Sequence, residues 1–574
     1  MIRLTDKLQK HANWYLAGIF MFSIFLQCWL FHYLAFNSIV KSLVYYWPKI
    51  SIAILISSFV LFSKSKWWTI VVSVLIDVWL LTELIYSRAN SVFLDAYAMT
   101  MVENMNGFWD SIWAFIYWKD LLLLVPTLIA VVGVIVFNNP KREKWWYGVV
   151  CIVFAVGIHC MGVDAIYRKR YRGMLSQEII KKRYTLNPFG QKIKYVVGAS
   201  WIQDSTIREY IADLSVLHHF VLNMVDFVRL EDSDYVLPSE DEKRIIDGFI
   251  NSTHSDSIAP KNPLIICLIE SFESWVISPE AMPNLHREIT SNPHLLYCPN
   301  IKCQRRAGNS SDGQLIVNTG LLPLKQGAAV FRFPFNKYPS LSSLYETSMG
   351  IFPHELGAWN QRYMNQSYEI DTAIVVGRSD KEIFSHVVRL SKEYDYILAL
   401  TISTHAPHTE YADSSNLQIP DEFSKKSKDY IKSFNYFDEG LGILLDAWHN
   451  DERLQSSTIV ITSDHSIFKQ GTKEFSGEYE YMNEKLAQCP LIIISPTIEG
   501  NICLTNEYQQ MDIYPTILDL IGCSDSYYWK GFGVNLLDSA ARENRPISEQ
   551  EALVLSDEII RADWFRDLQL GILN

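Results

Sequence analysis

Apolar residues fall into two regimes along this chain: long unbroken runs before residue 165, and short runs separated by polar, helix-periodic stretches after Pro263. Five early runs, 14–36, 45–62, 67–86, 121–137 and 145–163, approach the roughly 20 residues that a helix needs to cross a hydrocarbon core. Aromatic residues crowd their ends, in Trp14-Tyr15, Tyr45-Tyr46-Trp47, Trp67-Trp68, Trp118 and Trp145-Trp146, as amphipathic rings do at a membrane boundary. The pattern predicts five spanning helices in a domain of residues 1–165.

Residues 166–238 read as an amphipathic connector on the membrane surface, with a helix over 207–227 whose apolar face includes Tyr210, Ile211, Leu214, Leu217 and Phe220. Pro238-Ser239 followed by Glu242 makes a capping box, so a helix and a new domain, 239–574, are expected to start there. Within it, short β-branched runs at 264–269, 372–376, 396–402, 458–462 and 491–495 alternate with helical stretches such as 429–448 and 512–521. Strands buried on both faces have this form, which predicts an α/β fold with a mostly parallel sheet. Ligands of such sheets collect at the carboxyl ends of the strands.

Charge adds an orientation. Arg3, Lys7 and Lys10, then Lys64 and Lys66, then Lys141, Arg142 and Lys144 all fall on one side of the five runs. The positive-inside rule makes that side cytoplasmic and puts everything after residue 165 outside. Arg168-Lys169-Arg170 with Arg172 runs against the trend, in a segment leading into a translocated domain where the rule counts less. The first run is too long for the core of a cleavable signal peptide. In the third run, Asp77 is deep enough to need a helix–helix partner or a polar path, while Glu83 lies near an end and is expected to snorkel to the boundary. A net charge of −12 argues against a nucleic-acid partner. The nine cysteines follow no metal-site spacing, and Cys298 and Cys303 are the close pair of the outer region.

Candidate chemistry begins at Ala307-Gly308-Asn309-Ser310-Ser311-Asp312-Gly313, a polar turn with two hydroxyls ahead of an apolar run. If it opens a helix, a serine hydroxyl sits beside unpaired amides at the positive end of the dipole. Three expected strands end in acid or histidine: Glu270-Ser271-Phe272-Glu273, Ser403-Thr404-His405-Ala406-Pro407-His408 and Ser463-Asp464-His465-Ser466. Alone, each is an ordinary cap, ion pair or core histidine. At three strand ends of one sheet they would meet on one rim and, with Ser310, form a mixed oxygen and nitrogen site for a divalent ion beside a nucleophile.

With these residues in hand the chain resembles the lipoteichoic acid synthase family, within the alkaline phosphatase and sulfatase superfamily. The resemblance rests on Ile269-Glu270-Ser271-Phe272, Gly308-Asn309-Ser310-Ser311-Asp312, Trp359-Asn360-Gln361-Arg362 and Ser463-Asp464-His465, with Asp512-Ile513-Tyr514-Pro515-Thr516 and Gly531-Phe532-Gly533-Val534-Asn535 as scaffold. It implies a five-span membrane domain and an extracytoplasmic α/β catalytic domain in a bacterial plasma membrane, with metal ligands at Glu270, Ser310, Asp464 and His465. The implied ion is manganese, with magnesium or zinc chemically tolerable. Ser310 stands where the family has a threonine nucleophile, and Ser311 follows it. His405 matches a phosphate-pocket histidine, Trp359 and Arg362 match the pair that holds the donor head group, and Glu355 stands for an upstream acid. The implied activity moves a phosphoglycerol head group from a phospholipid to a hydroxyl of a glycan or glycerol phosphate polymer. Phosphoethanolamine transfer, a sulfatase-like hydrolase and an inactive membrane receptor are the alternatives; the first shares the five-span plan and a hydroxyl nucleophile but has a Thr-Ser-Thr-rich nucleophile segment and more disulfide cysteines, which this chain lacks, the second lacks its Cys/Ser-x-Pro-x-Arg segment around Ser310, and the third would need none of Glu270, Ser310, Asp464 and His465.

Overall fold

The computed structural model describes residues 11–39, 42–90, 93–94, 113, 115–137, 142–171, 211–229, 240–250, 259–325, 327–421, 423–467 and 488–569. The chain divides into two compact units, one of described residues below 230 and one of those above it.

The first unit holds five helices long and apolar enough to cross a membrane: Ala12–Phe36, Leu43–Phe62, Trp68–Arg88, Trp118–Phe137 and Trp145–Val163. Their bounds follow the aromatic brackets. Asp77 has the helix–helix partners its depth demanded, accepting from Gln27 Nε2 at 2.6 Å and Thr127 Oγ1 at 2.5 Å. Three spans are thereby tied by one carboxylate, where an unpaired charge would be costly. Glu83 does not snorkel. It is buried and accepts the Leu94 backbone N–H at 3.0 Å. Arg88 and Asp120 form a buried two-point pair, both contacts 2.7 Å.

The helix expected over 207–227 is broken at Leu214-Ser215, and its first residues lie outside the described ones. Helix Val216–Arg229 starts afresh there, with Ser215 Oγ accepting from His218 N at 3.4 Å, as a capping hydroxyl does. Ile211, Val216 and Leu217 join the buried cluster of the spanning helices, and Lys49 Nζ donates to Ala212 O at 2.9 Å. Helix Glu240–Asp247 begins where the capping box put it, although Pro238 and Ser239 lie outside the described residues.

The second unit is built on one nine-stranded sheet. Its strands are β1 (Leu264–Ile269), β2 (His294–Lys302), β3 (Ser348–Phe352), β4 (Thr372–Val375), β5 (Tyr396–Leu400), β6 (Thr458–Ser463), β7 (Gln488–Ile494), β8 (Gly500–Cys503) and β9 (Tyr508–Gln509). The order is β4-β3-β5-β1-β6-β7-β2-β8, with β9 also on β2. β4, β3, β5, β1 and β6 run parallel, and β7 is antiparallel to both β6 and β2. β1, β5 and β6 are buried at every residue, which is why they read as continuous apolar runs. β2 and β3 escaped that reading: β2 has polar residues at both ends and Pro299-Asn300 within it, and β3 is Ser-Met-Gly-Ile-Phe.

Alternation along β1 sends Ile265, Cys267 and Ile269 into a core shared with α1 (Pro283–Ser291), α4 (Asp380–Leu390) and α5 (Lys425–Asn450). Phe272 stacks there on Phe434, ring centroids 5.2 Å apart. On the opposite face lie α2 (Ser310–Thr319), with α3 (Gln361–Ser367) against it, and α6 (Ile513–Leu520). The Tyr396 hydroxyl of β5 donates to Asn318 of α2. Asp512, fully buried ahead of α6, accepts from Val534 N at 3.0 Å and takes Arg545 at two points, 2.7 and 2.6 Å. This pair closes the C-terminal scaffold onto the sheet. Asp512→Ala strands the Arg545 guanidinium and the Val534 amide, a loss of about 3–5 kcal/mol, expected as a lower Tm of the detergent-solubilised protein.

Candidate metal centre at the strand ends

The order β3-β5-β1-β6 lines four carboxyl ends along one rim, carrying His354, His405, Glu270 and Asp464-His465 in turn. Glu270, Asp464 and His465 converge there: each is buried and offers a ligand atom within 4.8 Å of the others. His465 Nε2 lies 3.5 Å from Glu270 Oε1 and 3.6 Å from Asp464 Oδ2.

Main-chain bonds between strand ends hold the group. Asp464 N donates to Ile269 O at 3.1 Å, and Ser271 N donates to Asp464 Oδ1 at 3.0 Å. Ser271 has the left-handed φ of 54° that turns its amide this way. Phe272 N donates to Ser463 Oγ at 2.9 Å, while Glu270 N donates to Thr401 Oγ1 at 3.1 Å and Thr404 Oγ1 to Glu270 O at 2.6 Å. His465 Nδ1 sits 3.0 Å from the Ser466 carbonyl. A carbonyl only accepts, so Nδ1 carries the proton and Nε2 faces the carboxylates as a lone-pair nitrogen. Glu273, the other acid of that strand end, serves the loop: it accepts from Trp275 Nε1 at 3.0 Å and Ile467 N at 2.8 Å.

Burial, then the neighbouring Asp464, push the Glu270 carboxyl up from its ordinary range. Two buried carboxylates and an imidazole nitrogen in reach of one another lack positive charge. The donor set of hard oxygens and one imidazole fits a divalent ion.

Ser310 opens α2 and is half-buried, after Asn309 at φ 45°. Gly313, three residues on, packs so tightly that a Cβ there would lie 2.3 Å from the Asp464 carbonyl oxygen. The serine's helix is thus seated directly on the Asp464 backbone. The amides expected to be unpaired are partly used: those of Ser311 and Asp312 bond back to Gly308 O and Asn309 O at 2.9 and 3.0 Å. Ser311 Oγ is also committed, donating to Gly308 O at 2.7 Å, whereas Ser310 Oγ has no hydrogen bond among the described residues. Asp312 staples the turn, accepting from Arg306 N at 2.8 Å and Gly308 N at 2.9 Å.

His405 has its Nδ1 2.7 Å from the Ala406 carbonyl, which again leaves Nε2 as the lone-pair nitrogen. Burial, with Arg378 in support, holds it below the ordinary imidazole range, and Asp464 pulls the other way. Trp359 and Arg362 follow β3, with Trp359 half-buried at φ 50° against Phe331 and Arg362 exposed. Between them Gln361 exchanges two side-chain bonds with Gln314 of α2, 3.0 and 2.9 Å, which ties this segment one turn from Ser310. Glu355 is exposed just upstream.

Two groups were not anticipated. His354 stands at the end of β3, held low by burial and felt by both Arg378 and His405. Arg378, past the end of β4, grips Glu410 at two points, 3.0 and 2.6 Å. The strand-end rule would have found His354 had β3 been recognised. All nine cysteines are free thiols, Cys298 and Cys303 included.

Comparison with known proteins now separates the two units. The lipoteichoic acid synthase N-terminal domain family matches residues 1–192, and the sulfatase family matches residues 336–523. Each match covers about a third of this chain. The chain is a multi-pass membrane protein with a sulfatase-like α/β domain, and the resemblance read from its motifs is borne out. The sulfatase match includes His405, Asp464 and His465, while Glu270 and Ser310 precede it. Lipoteichoic acid synthase of Staphylococcus saprophyticus is 22% identical over 89% of this chain and 82% of its own length. That of Staphylococcus aureus is 20% identical over 91% and 84%. The lipooligosaccharide phosphoethanolamine transferase A of Neisseria meningitidis shares the fold across 90% of this chain and 96% of its own, with a TM-score of 0.50 at 11% identity.

Gly313→Ala forces the Asp464 carbonyl away from α2. Weakening of metal binding by about 10–100-fold is expected, as for other supporting-shell changes, read by titrating Mn2+ into the metal-stripped protein.

Proposed function

We propose that the protein is a metal-dependent membrane phosphotransferase. It moves a phosphoglycerol head group from a phosphatidylglycerol-like lipid to a hydroxyl of a glycan or glycerol phosphate polymer, on the outer side of a bacterial plasma membrane. The reading is supported above all by buried Glu270, Asp464 and His465 meeting at adjacent strand ends, with the Ser310 helix packed on the Asp464 backbone. The lipoteichoic acid synthases among its relatives point to the same substrate class.

A divalent ion, manganese in the first instance, would be held by Glu270, Asp464, His465 and Ser310, and would supply Lewis-acid charge that acidifies a hydroxyl and neutralises phosphoryl oxygens. Ser310 Oγ attacks phosphorus; the bond to the glyceride oxygen breaks, and a diacylglycerol-like lipid departs. An acceptor hydroxyl then displaces the serine from its phosphodiester. His405, its Nδ1 proton committed to Ala406, shuttles a proton through Nε2 between attacking and departing oxygens. Trp359 packs against the glycerol while Arg362 pairs with the phosphoryl charge. Ser311 keeps the turn closed through Gly308.

Turnover of a fluorescent phosphatidylglycerol analogue in proteoliposomes tests this directly. Ser310→Ala is expected to lower kcat by at least ~10³-fold, and Ser311→Ala by less than about tenfold, because a nucleophile is indispensable and a cap is not. Full activity of Ser310→Ala would end the reading. Chelation by EDTA should abolish turnover and lower Tm, with Mn2+ restoring both, since a ligand that binds only the folded state stabilises it.

A further inference from the structure

We propose that the turn carrying Phe335, together with Tyr363, is a lipid-insertion rim that seats the sulfatase-like domain on a phospholipid bilayer surface. The proposal rests on the lipid-donor reading and extends it to a surface that presents the lipid.

Phe335 is 65% exposed and Tyr363 37%, their rings edge to face with centroids 5.2 Å apart. Phe335 is not on a loose loop. Phe333, Asn336 and Tyr338 on either side are buried. Asn336 Nδ2 donates to Ile560 O at 2.5 Å, Lys337 N donates to Asp563 Oδ1 at 3.0 Å, and the Arg566 guanidinium donates to the Phe335 carbonyl. A phenyl ring held out into water by a pinned turn carries an apolar-hydration cost that only an apolar partner removes.

A bilayer fits better than a second protein for three reasons. The spans preceding this domain confine it near a membrane. Exposed Arg362 adjoins Tyr363 on α3, Lys337 lies on the turn and pairs with Glu369, and Arg566 reaches the turn from the C-terminal helix Trp564–Gln569 while pairing with Asp563. Two of these three cations are ion-paired, so composition and not net charge favours the bilayer: aromatic rings beside long side chains with charged ends are what membrane interfaces carry. Finally, a two-chain lipid cannot leave the hydrocarbon to reach Ser310, so the bilayer must come up to the rim of the site. This rim is continuous with it: α3 carries Tyr363 and is tied through Gln361 to Gln314 of the Ser310 helix.

The test uses full-length protein in phosphatidylglycerol vesicles. Phe335→Cys carries an environment-sensitive dye, with exposed Cys160 and Cys503 replaced by serine and Ser310→Ala present so that nothing turns over. Blue-shifted emission quenched by brominated lipid is expected; a water-like, unquenched dye would overturn the rim. In the catalytically intact chain, Phe335→Ser with Tyr363→Ser should raise KM for a vesicle-borne donor by about tenfold, with turnover of a short-chain, water-soluble donor unchanged. Equal effects on both donors, no effect on either, or a dimer that the double variant dissociates would each refute the proposal. The dye needs no turnover, so an inactive wild type would defeat the catalytic reading alone, and an active enzyme with a wet dye would defeat the rim alone.

Discussion

Two carboxylates brought together out of water repel each other and lose hydration, and Glu270 and Asp464 endure both penalties at the ends of neighbouring strands. Nearly everything around them serves to hold that unfavourable pair in place. Strands β1 and β6 are in direct parallel register, Ile269 opposite Ser463, so the next residue of each strand falls at the same level. The left-handed Ser271 then turns an amide onto Asp464, and serine and threonine hydroxyls of the flanking loops tie up the remaining backbone. The scaffold beneath is an apolar sheet buried on both sides, which can bear such a cost at one edge.

Much of this was legible in the residue order. Long apolar runs with aromatic ends located the spans within a few residues, because hydrocarbon thickness and interfacial chemistry leave little choice. Continuous β-branched runs located β1, β5 and β6, and the strand-end rule then selected Glu270, His405, Asp464 and His465. What stayed hidden has physical causes. β3 is short and contains glycine, so His354 had no strand to terminate. Arg378 follows β4 by a turn rather than ending it, and its pairing with Glu410 bridges segments 32 residues apart. Glu83 was misjudged because the amide that satisfies it belongs to Leu94, beyond the helix end, where local pattern says nothing.

The connector taught a similar lesson. Its apolar period was real, but the period alone does not say whether the apolar face meets lipid or protein. Ile211, Val216 and Leu217 found protein, and the interruption at Leu214-Ser215 was written in a serine that caps a helix as readily as it sits within one.

One architectural division has evolutionary weight. Glu270, Asp464 and His465 are positioned by strand ends and by hydroxyls that bond backbone, whereas Arg362 rides on a separate short helix, with Trp359 just ahead of it, moored to α2 through a pair of glutamines. Changes in that helix can therefore drift or be exchanged between lineages without disturbing the reactive core. Under the proposed function, a scaffold divided in this way can acquire new head-group preferences by small steps, each leaving the bond-making chemistry intact.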